Sequence, residues 1–160
     1  MSVVTEHLEQ RGVAFEVIRH AQTLTTADEA DVIGIAPSEV VKTLVLATAS
    51  GHALAVVPAA RRLDMKLAQQ ATGDKHARLA SEEELARDFP DHELGAVPPL
   101  GSLLAAAVYV DPEVMDHETV VFAAGSHTES VKARSDDLFQ GTSVTVVPLS
   151  RRDRGGDTDA

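Results

Sequence analysis

With 160 residues, a hydrophobic fraction of 44% and a charged fraction of 24%, the chain is long and apolar enough for one domain with its own core. It has no cysteine, which excludes disulfides, thiolate chemistry and cysteine-held zinc, and its formal net charge of −11 argues against sequence-independent binding to DNA or RNA. Four phenylalanines and one tyrosine are too few for a base-stacking platform, and no apolar run approaches the roughly 20 residues of a membrane helix.

Residues 2–11 pattern as a short helix closed by Gly12, without the basic start and apolar centre of a signal peptide, so a soluble, cytoplasmic protein is expected. Residues 13–19 alternate as a strand. Thr26-Ala27-Asp28-Glu29 has the form of a capping box and predicts a helix that stops at Gly34. Residues 40–46 read as a buried strand carrying Lys42, Ser50-Gly51 turns the chain, and residues 52–58 return, which predicts a hairpin. Asp64 is the expected N-cap of a helix over 65–72 stopped by Gly73, and Ser81 opens another that ends near Phe89, before Pro90. Beyond the stiff segment Gly95-Ala96-Val97-Pro98-Pro99-Leu100-Gly101, a continuous apolar strand is expected over 103–110. Asp111-Pro112-Glu113 reads as a helix start. Strands over 119–123, 130–134 and 143–147 follow, with a short helix over 136–140. The charged, glycine-rich stretch 151–160 predicts a disordered tail after a domain of residues 1–150. Strand pairs interspersed with short helices, rather than a regular strand–helix alternation, predict an α+β domain with a mixed sheet.

No phosphate-binding glycine loop, nucleophile elbow or paired helical histidines occur, so neither a nucleotide cofactor nor a metal is expected. Lys42 is the most informative residue. An ammonium on a core strand is costly unless something pairs with it or uses it, although a lysine can also carry its head to solvent over an apolar stem. Both readings stand on the residues alone. In the Gly95–Gly101 segment, glycines permit close backbone approach and prolines fix φ, as suits a rigid wall; a stiff turn is the simpler account. Gly125-Ser126-His127 offers ligand approach and hydrogen bonds at a strand end. Arg61, Arg62, Lys66, Lys75 and Arg78 stand against Asp64 and Asp74 within residues 61–78: a solvated face, or a local basic patch able to meet one phosphate end.

Taken in order, His20, Thr25-Thr26, Glu29-Ala30, Val41-Lys42-Thr43-Leu44-Val45, Val57-Pro58, Arg62 to Ala68, Gly95-x-x-x-Pro99-Leu100-Gly101, Asp111, Gly125-Ser126 and Asp137-Leu138 resemble the YbaK/prolyl-tRNA-synthetase-associated domain family of trans-editing aminoacyl-tRNA deacylases. The resemblance spans roughly residues 10–147. It implies a single compact α+β domain with a mixed, curved sheet and flanking short helices, needing no cofactor. It implies that Lys42 polarises the carbonyl of an esterified amino acid, and that the segment from Gly95 to Pro99 lies against the aminoacyl group and the terminal adenosine. With Thr43, Gly101, Gly125, Ser126 and His127 added, these residues form the expected substrate site. The implied partners are the acceptor end of a mischarged tRNA and, to supply grip that an acidic chain lacks, a synthetase or elongation factor; no DNA or membrane is implied. A non-catalytic module of the same fold that binds a synthetase or another protein is the second reading.

Overall fold

The computed structural model describes residues 2–140 and 144–152. Ser2 accepts from the Thr5 amide at 3.1 Å and starts α1 (Val3–Gln10), after which Gly12, at φ 71°, turns the chain into β1 (Phe15–Arg19). Helix α2 (Thr26–Ile33) is stopped by Gly34, whose φ of 85° a side chain would resist. A 3-10 turn at Pro37–Glu39 feeds β2 (Val41–Thr48), and the Ser50-Gly51 turn returns it as β3 (Gly51–Pro58). The short strand β4 (Arg61–Leu63) leads into α3 (Met65–Thr72), whose N-cap Asp64 accepts from the amides of Lys66 and Leu67. Then come β5 (Arg78–Leu79), α4 (Glu82–Asp88) behind its Ser81 capping box, α5 (Gly101–Leu104), β6 (Ala107–Val110) and α6 (Pro112–Met115). The long hairpin β7 (Thr119–Ser126) and β8 (Glu129–Arg134) precedes α7 (Ser135–Leu138), β9 (Val144–Val146) and β10 (Ser150–Arg152).

The strands form a five-stranded mixed sheet in the order β5-β2-β3-β6-β9, a three-stranded antiparallel sheet β1-β8-β7, and a ribbon β4-β10. The pairs β3–β6 and β6–β9 are parallel, while β2–β3 and β2–β5 are antiparallel. Val40 bridges Val121 in parallel and joins the two larger sheets, giving a single domain with a mixed sheet and short helices.

Alternation along β2 decides what each face meets. Val41 and Val45 enter the main core with Leu54, Val56, Val120 and Phe122, beneath Val4 and Leu8 of α1. The opposite face carries two smaller clusters. Val40 and Val121 pack with Ala30 of α2, and Leu46, Ala53, Ala55 and Val57 pack with Ala68 of α3 and Leu149. Lys42 belongs to this second face and falls between the two clusters.

Three local expectations differ from what is observed, and two short strands were not expected. The cap of α2 is Thr25, which accepts from the Asp28 amide, and not Thr26; the one-residue shift frees Glu29 from capping and turns it inward to 2% exposure. The apolar run at 103–110 is strand only from Ala107. Its first part is the helical turn α5, closed by Ala105 at φ 53°, because a short apolar run carries no period by which to tell a buried strand from a buried turn. Strands β4 and β5 are too short to leave a pattern. Arg151 and Arg152, assigned to the expected tail, pair in β10; residues 153–160 and Ser143, expected to start a strand, lie outside the described residues. The expected helix start at Asp111 is present as the N-cap of α6, and the same side chain anchors β10. Its Oδ1 accepts from the Glu113 amide, and its Oδ2 from the Leu149 amide at 3.0 Å and from Ser150 Oγ at 2.7 Å. No helix among the described residues is long and apolar enough to cross a membrane.

Candidate functional site

Lys42 lies on β2 opposite Val57 of β3 and is half-buried. Val40 and Val121 form an isolated parallel bridge between the two sheets, two residues before Lys42 on β2 and two before Ala123 on β7, and Ala123 is paired with Ser130 of β8. Val120, Phe122, Val131 and Ala133 all point into the main core, so Ala123 and Ser130 take the other face, the face of Lys42. Lys42, Ala123 and Ser130 thus lie on the same face of the joined sheets. Thr43, one residue on from Lys42, takes the face of Val41 and Val45; its hydroxyl is buried without a hydrogen-bond partner among the described residues.

At Ser130 lies a hydrogen-bonded chain that sequence reasoning did not assemble. Ser130 Oγ contacts Glu29 Oε2 of α2 and, at 2.8 Å, His20 Nε2, while His20 Nδ1 lies 2.8 Å from the Ala21 carbonyl. A carbonyl only accepts, so Nδ1 carries a proton. Ser130 Oγ thus links the Glu29 carboxyl to the His20 ring. Burial is the largest influence on Glu29 and raises its pKa above the ordinary 4.5, against the lowering effects of Ser130, His20 and His127.

A carboxyl with a raised folded pKa contributes stability that is complete below the unfolded value and lost as pH rises through the folded one. Glu29→Gln does not titrate and keeps one donor for Ser130. The urea midpoint of the wild type should therefore fall relative to that of Glu29→Gln as pH is raised from 4 to 8. A difference that stays constant across this range would refute the raised pKa.

Three loop segments converge at the β7–β8 turn. The Glu93 amide donates to Gly125 O at 2.8 Å and the Gly125 amide to Ala96 O at 3.0 Å, which fastens the start of the glycine–proline segment to the end of β7. His127 secures it further: its Nε2 donates to Leu94 O at 2.6 Å and its backbone amide to Glu93 Oε2 at 2.8 Å. Gly95, at φ 80°, leaves no more room than a methyl group would need against the His127 ring, 3.4 Å away. From the third segment, the His20 amide donates to Thr128 O, and the Thr23 amide and hydroxyl both donate to His127 O. Ser126 Oγ lies 3.3 Å from Thr128 Oγ1. The structure thus brings Gly95, Gly125, Ser126 and His127 together at the end of β7, with Gly125 two residues beyond Ala123. The Gly125 amide and the His127 Nε2 are committed to holding the loop, not exposed as donors.

Pro99 and Gly101 fall elsewhere. Residues 96–100 are buried, with Val97 and Leu100 in the main core, and Pro99 and Gly101 line a cavity of about 630 Å³ beside His7, Arg11 and Val108. A Cβ on Gly101 would strike the Ala106 carbonyl oxygen and approach Val108 Cγ2 to 2.5 Å, so that glycine is demanded by packing where α5 begins. Among the described residues, no three His, Asp or Glu side chains converge as a metal site requires.

Residues 20–140 match the aminoacyl-tRNA editing domain. Among solved structures, the chain is similar to a candidate trans-editing enzyme for prolyl tRNA synthetase, with a TM-score of 0.82 and 26% identity over 94% of this chain and 99% of that one. It is also similar to the hypothetical protein APE2540, with a TM-score of 0.83 and 25% identity over 92% and 99% of the two chains. A candidate signal transduction protein of Marinobacter aquaeolei VT8 shares the fold at 16% identity and a TM-score of 0.69, over 94% of this chain and 31% of that one.

Proposed function

The chain belongs to the aminoacyl-tRNA editing domain family, and on that premise we propose that it is a deacylase that hydrolyses the ester joining a wrongly attached amino acid to tRNA. The observation that carries this reading is the position of Lys42: a half-buried cation on an interior strand, opposite Val57 and two residues beyond the bridge that joins β2 to β7. Attack on an ester places negative charge on the carbonyl oxygen, and a fixed ammonium stabilises that charge more where protein replaces water. Lys42 is assigned that role, as an electrostatic partner and not a nucleophile. The chain has neither a cysteine nor a nucleophile-elbow serine motif, which suits direct attack by water, and the ester cleaves to a free amino acid and the ribose hydroxyl.

Gly95, Gly125, Ser126 and His127 form the wall against which the aminoacyl end rests. Its rigidity has a visible source in the Glu93–Gly125, Gly125–Ala96 and His127–Leu94 hydrogen bonds. The buried stretch running to Pro99 and Gly101 roots that wall in the core. A rigid wall grades substrates by size, admitting a small misattached side chain and excluding a larger cognate one. The similarity to a candidate trans-editing enzyme for prolyl tRNA synthetase supports action on tRNA released from a synthetase. A synthetase or elongation factor is the proposed auxiliary partner.

The test is a panel of mischarged tRNAs incubated with purified protein, beside an aminoacyl-adenosine ester. At least one mischarged tRNA should lose its amino acid well above the spontaneous rate. Silence on every tRNA would overturn the deacylase, and hydrolysis of the small ester alone would replace it with a general esterase.

A further inference from the structure

The cavity beside Pro99 and Gly101 has no part in the candidate ester site. Its volume of about 630 Å³ lies within the range of small-molecule sites and far exceeds the voids that close packing leaves in a core. Pro99, Ala106, Val108 and Leu138 give it an apolar body, and no Asp or Glu is present among the described residues that line it. The polar groups are few: His7 and Arg11 from α1, Ser102 from α5, and Gln140. Ser102 and Ala105 are exposed, so the cavity opens to solvent at α5.

Arg11 carries the charge. It follows His7 by four residues, which sets both side chains on one face of the helix end. Two bonds from a single nitrogen, Nη2, reach the Asp137 and Leu138 carbonyls at 3.5 and 3.2 Å and fasten α1 to α7. That structural duty leaves Nε and Nη1 without an acceptor, and the guanidinium without a carboxylate, among the described residues. A guanidinium is a planar fork whose donors match the two oxygens of a carboxylate. His7 Nε2 lies 2.7 Å from Ser102 Oγ, and burial, followed by the neighbouring Arg11 charge, lowers the His7 pKa from its ordinary 6.5. His7 is therefore uncharged at neutral pH, and the cavity holds one positive charge. A single charge suits a monoanion better than a phosphate dianion. The lack of an acidic side chain leaves an ammonium without a partner, which disfavours a free amino acid.

We propose that this cavity binds a small monocarboxylate with an apolar body, its carboxylate on Arg11 and its body against Pro99, Val108 and Leu138. His7 and Ser102 supply neutral hydrogen-bonding groups beside the charge. The inference does not depend on the tRNA reading, since neither Lys42 nor Gly125 lines the cavity. The two places are joined by the buried stretch 96–100: Gly95, just before it, meets the His127 ring, and Pro99 forms part of the cavity.

The test titrates isotope-labelled protein with octanoate and follows the backbone amide shifts. Octanol and octylamine serve as probes with the same body and a neutral or a positive head. Octanoate should saturate with a Kd below about 1 mM and shift the amides of Arg11, Ser102 and Val108. Octanol should bind about tenfold more weakly for want of a charge-assisted bond, and octylamine more weakly still. Arg11→Gln should bring octanoate down to the level of octanol, and Arg11→Lys, which keeps the charge, should recover part of the loss. The comparison of three ligands on the wild-type protein decides the matter even where loss of the α7 contacts unfolds Arg11→Gln. Octanoate that binds no tighter than octanol, or fails to saturate below about 10 mM, overturns the proposal. So does a folded Arg11→Gln protein that binds octanoate as the wild type does. Shifts centred on Lys42 and Gly125 would put the probe at the ester site and overturn it too, whatever the result with mischarged tRNA.

Discussion

Lys42→Ala should lower single-turnover hydrolysis of a susceptible mischarged tRNA by about a hundred- to a thousand-fold, the usual effect of removing one preorganised partner of a developing oxyanion. The fold should survive. Lys42 stands between two small clusters on the outer sheet face, while Val41 and Val45, its neighbours on β2, carry the main core. Lys42→Met, which keeps the stem and drops the charge, should be as inactive as alanine. Lys42→Arg should recover little, because a planar guanidinium cannot place its charge where an ammonium did. Rates should be read beside urea midpoints, so that lost activity is not confused with lost structure. A Lys42→Ala protein that hydrolyses at the wild-type rate would remove the proposed mechanism.

Asp111→Ala should cost about 2–4 kcal/mol, made up of about 1 for the N-cap of α6 and about 1–3 for the buried groups left unpaired. The carboxylate is 4% exposed and serves three donors: the amides of Glu113 and Leu149, and the Ser150 hydroxyl. Without it, β10 loses its inner anchor, and the Arg61–Ser150 contacts loosen with it. Asp111→Asn should fall between wild type and alanine, since its oxygen can still cap α6 while its amide group opposes the Leu149 N–H. The check is the urea midpoint, together with hydrogen exchange at the Leu149 amide, which should open before the rest of the sheet. A midpoint shift worth less than about 0.5 kcal/mol would show that β10 is held by other means.

Where a signal is local, the sequence carries it. Asp64, Ser81 and the capped start of α1 fix helix entries through side chains a few residues from the amides they bond, and Gly34 and Gly73 end helices because few other residues tolerate their φ. The β2–β3 hairpin is legible for the same reason, and Lys42 stands out because its neighbours are apolar. The wall of the candidate site was half legible. Gly95, Gly125, Ser126 and His127 converge as one group, whereas Pro99 lies in a buried stretch and Gly101 sits against Ala106 and Val108 where α5 begins, beside a different cavity.

By itself, then, the amino-acid order determined the family, most element boundaries and the identity of the one lysine on the central hairpin, since propensity, capping and alternation act over a few residues. Only tertiary structure decided that Glu29 is buried and linked through Ser130 to His20, 101 and 110 residues apart in the two bonds. It alone bridged Val40 to Val121, next to Lys42, and paired Arg151 with Arg62. Strand pairing between distant segments depends on which surfaces become dry when the whole sheet closes, and nothing within a few residues of either partner encodes that.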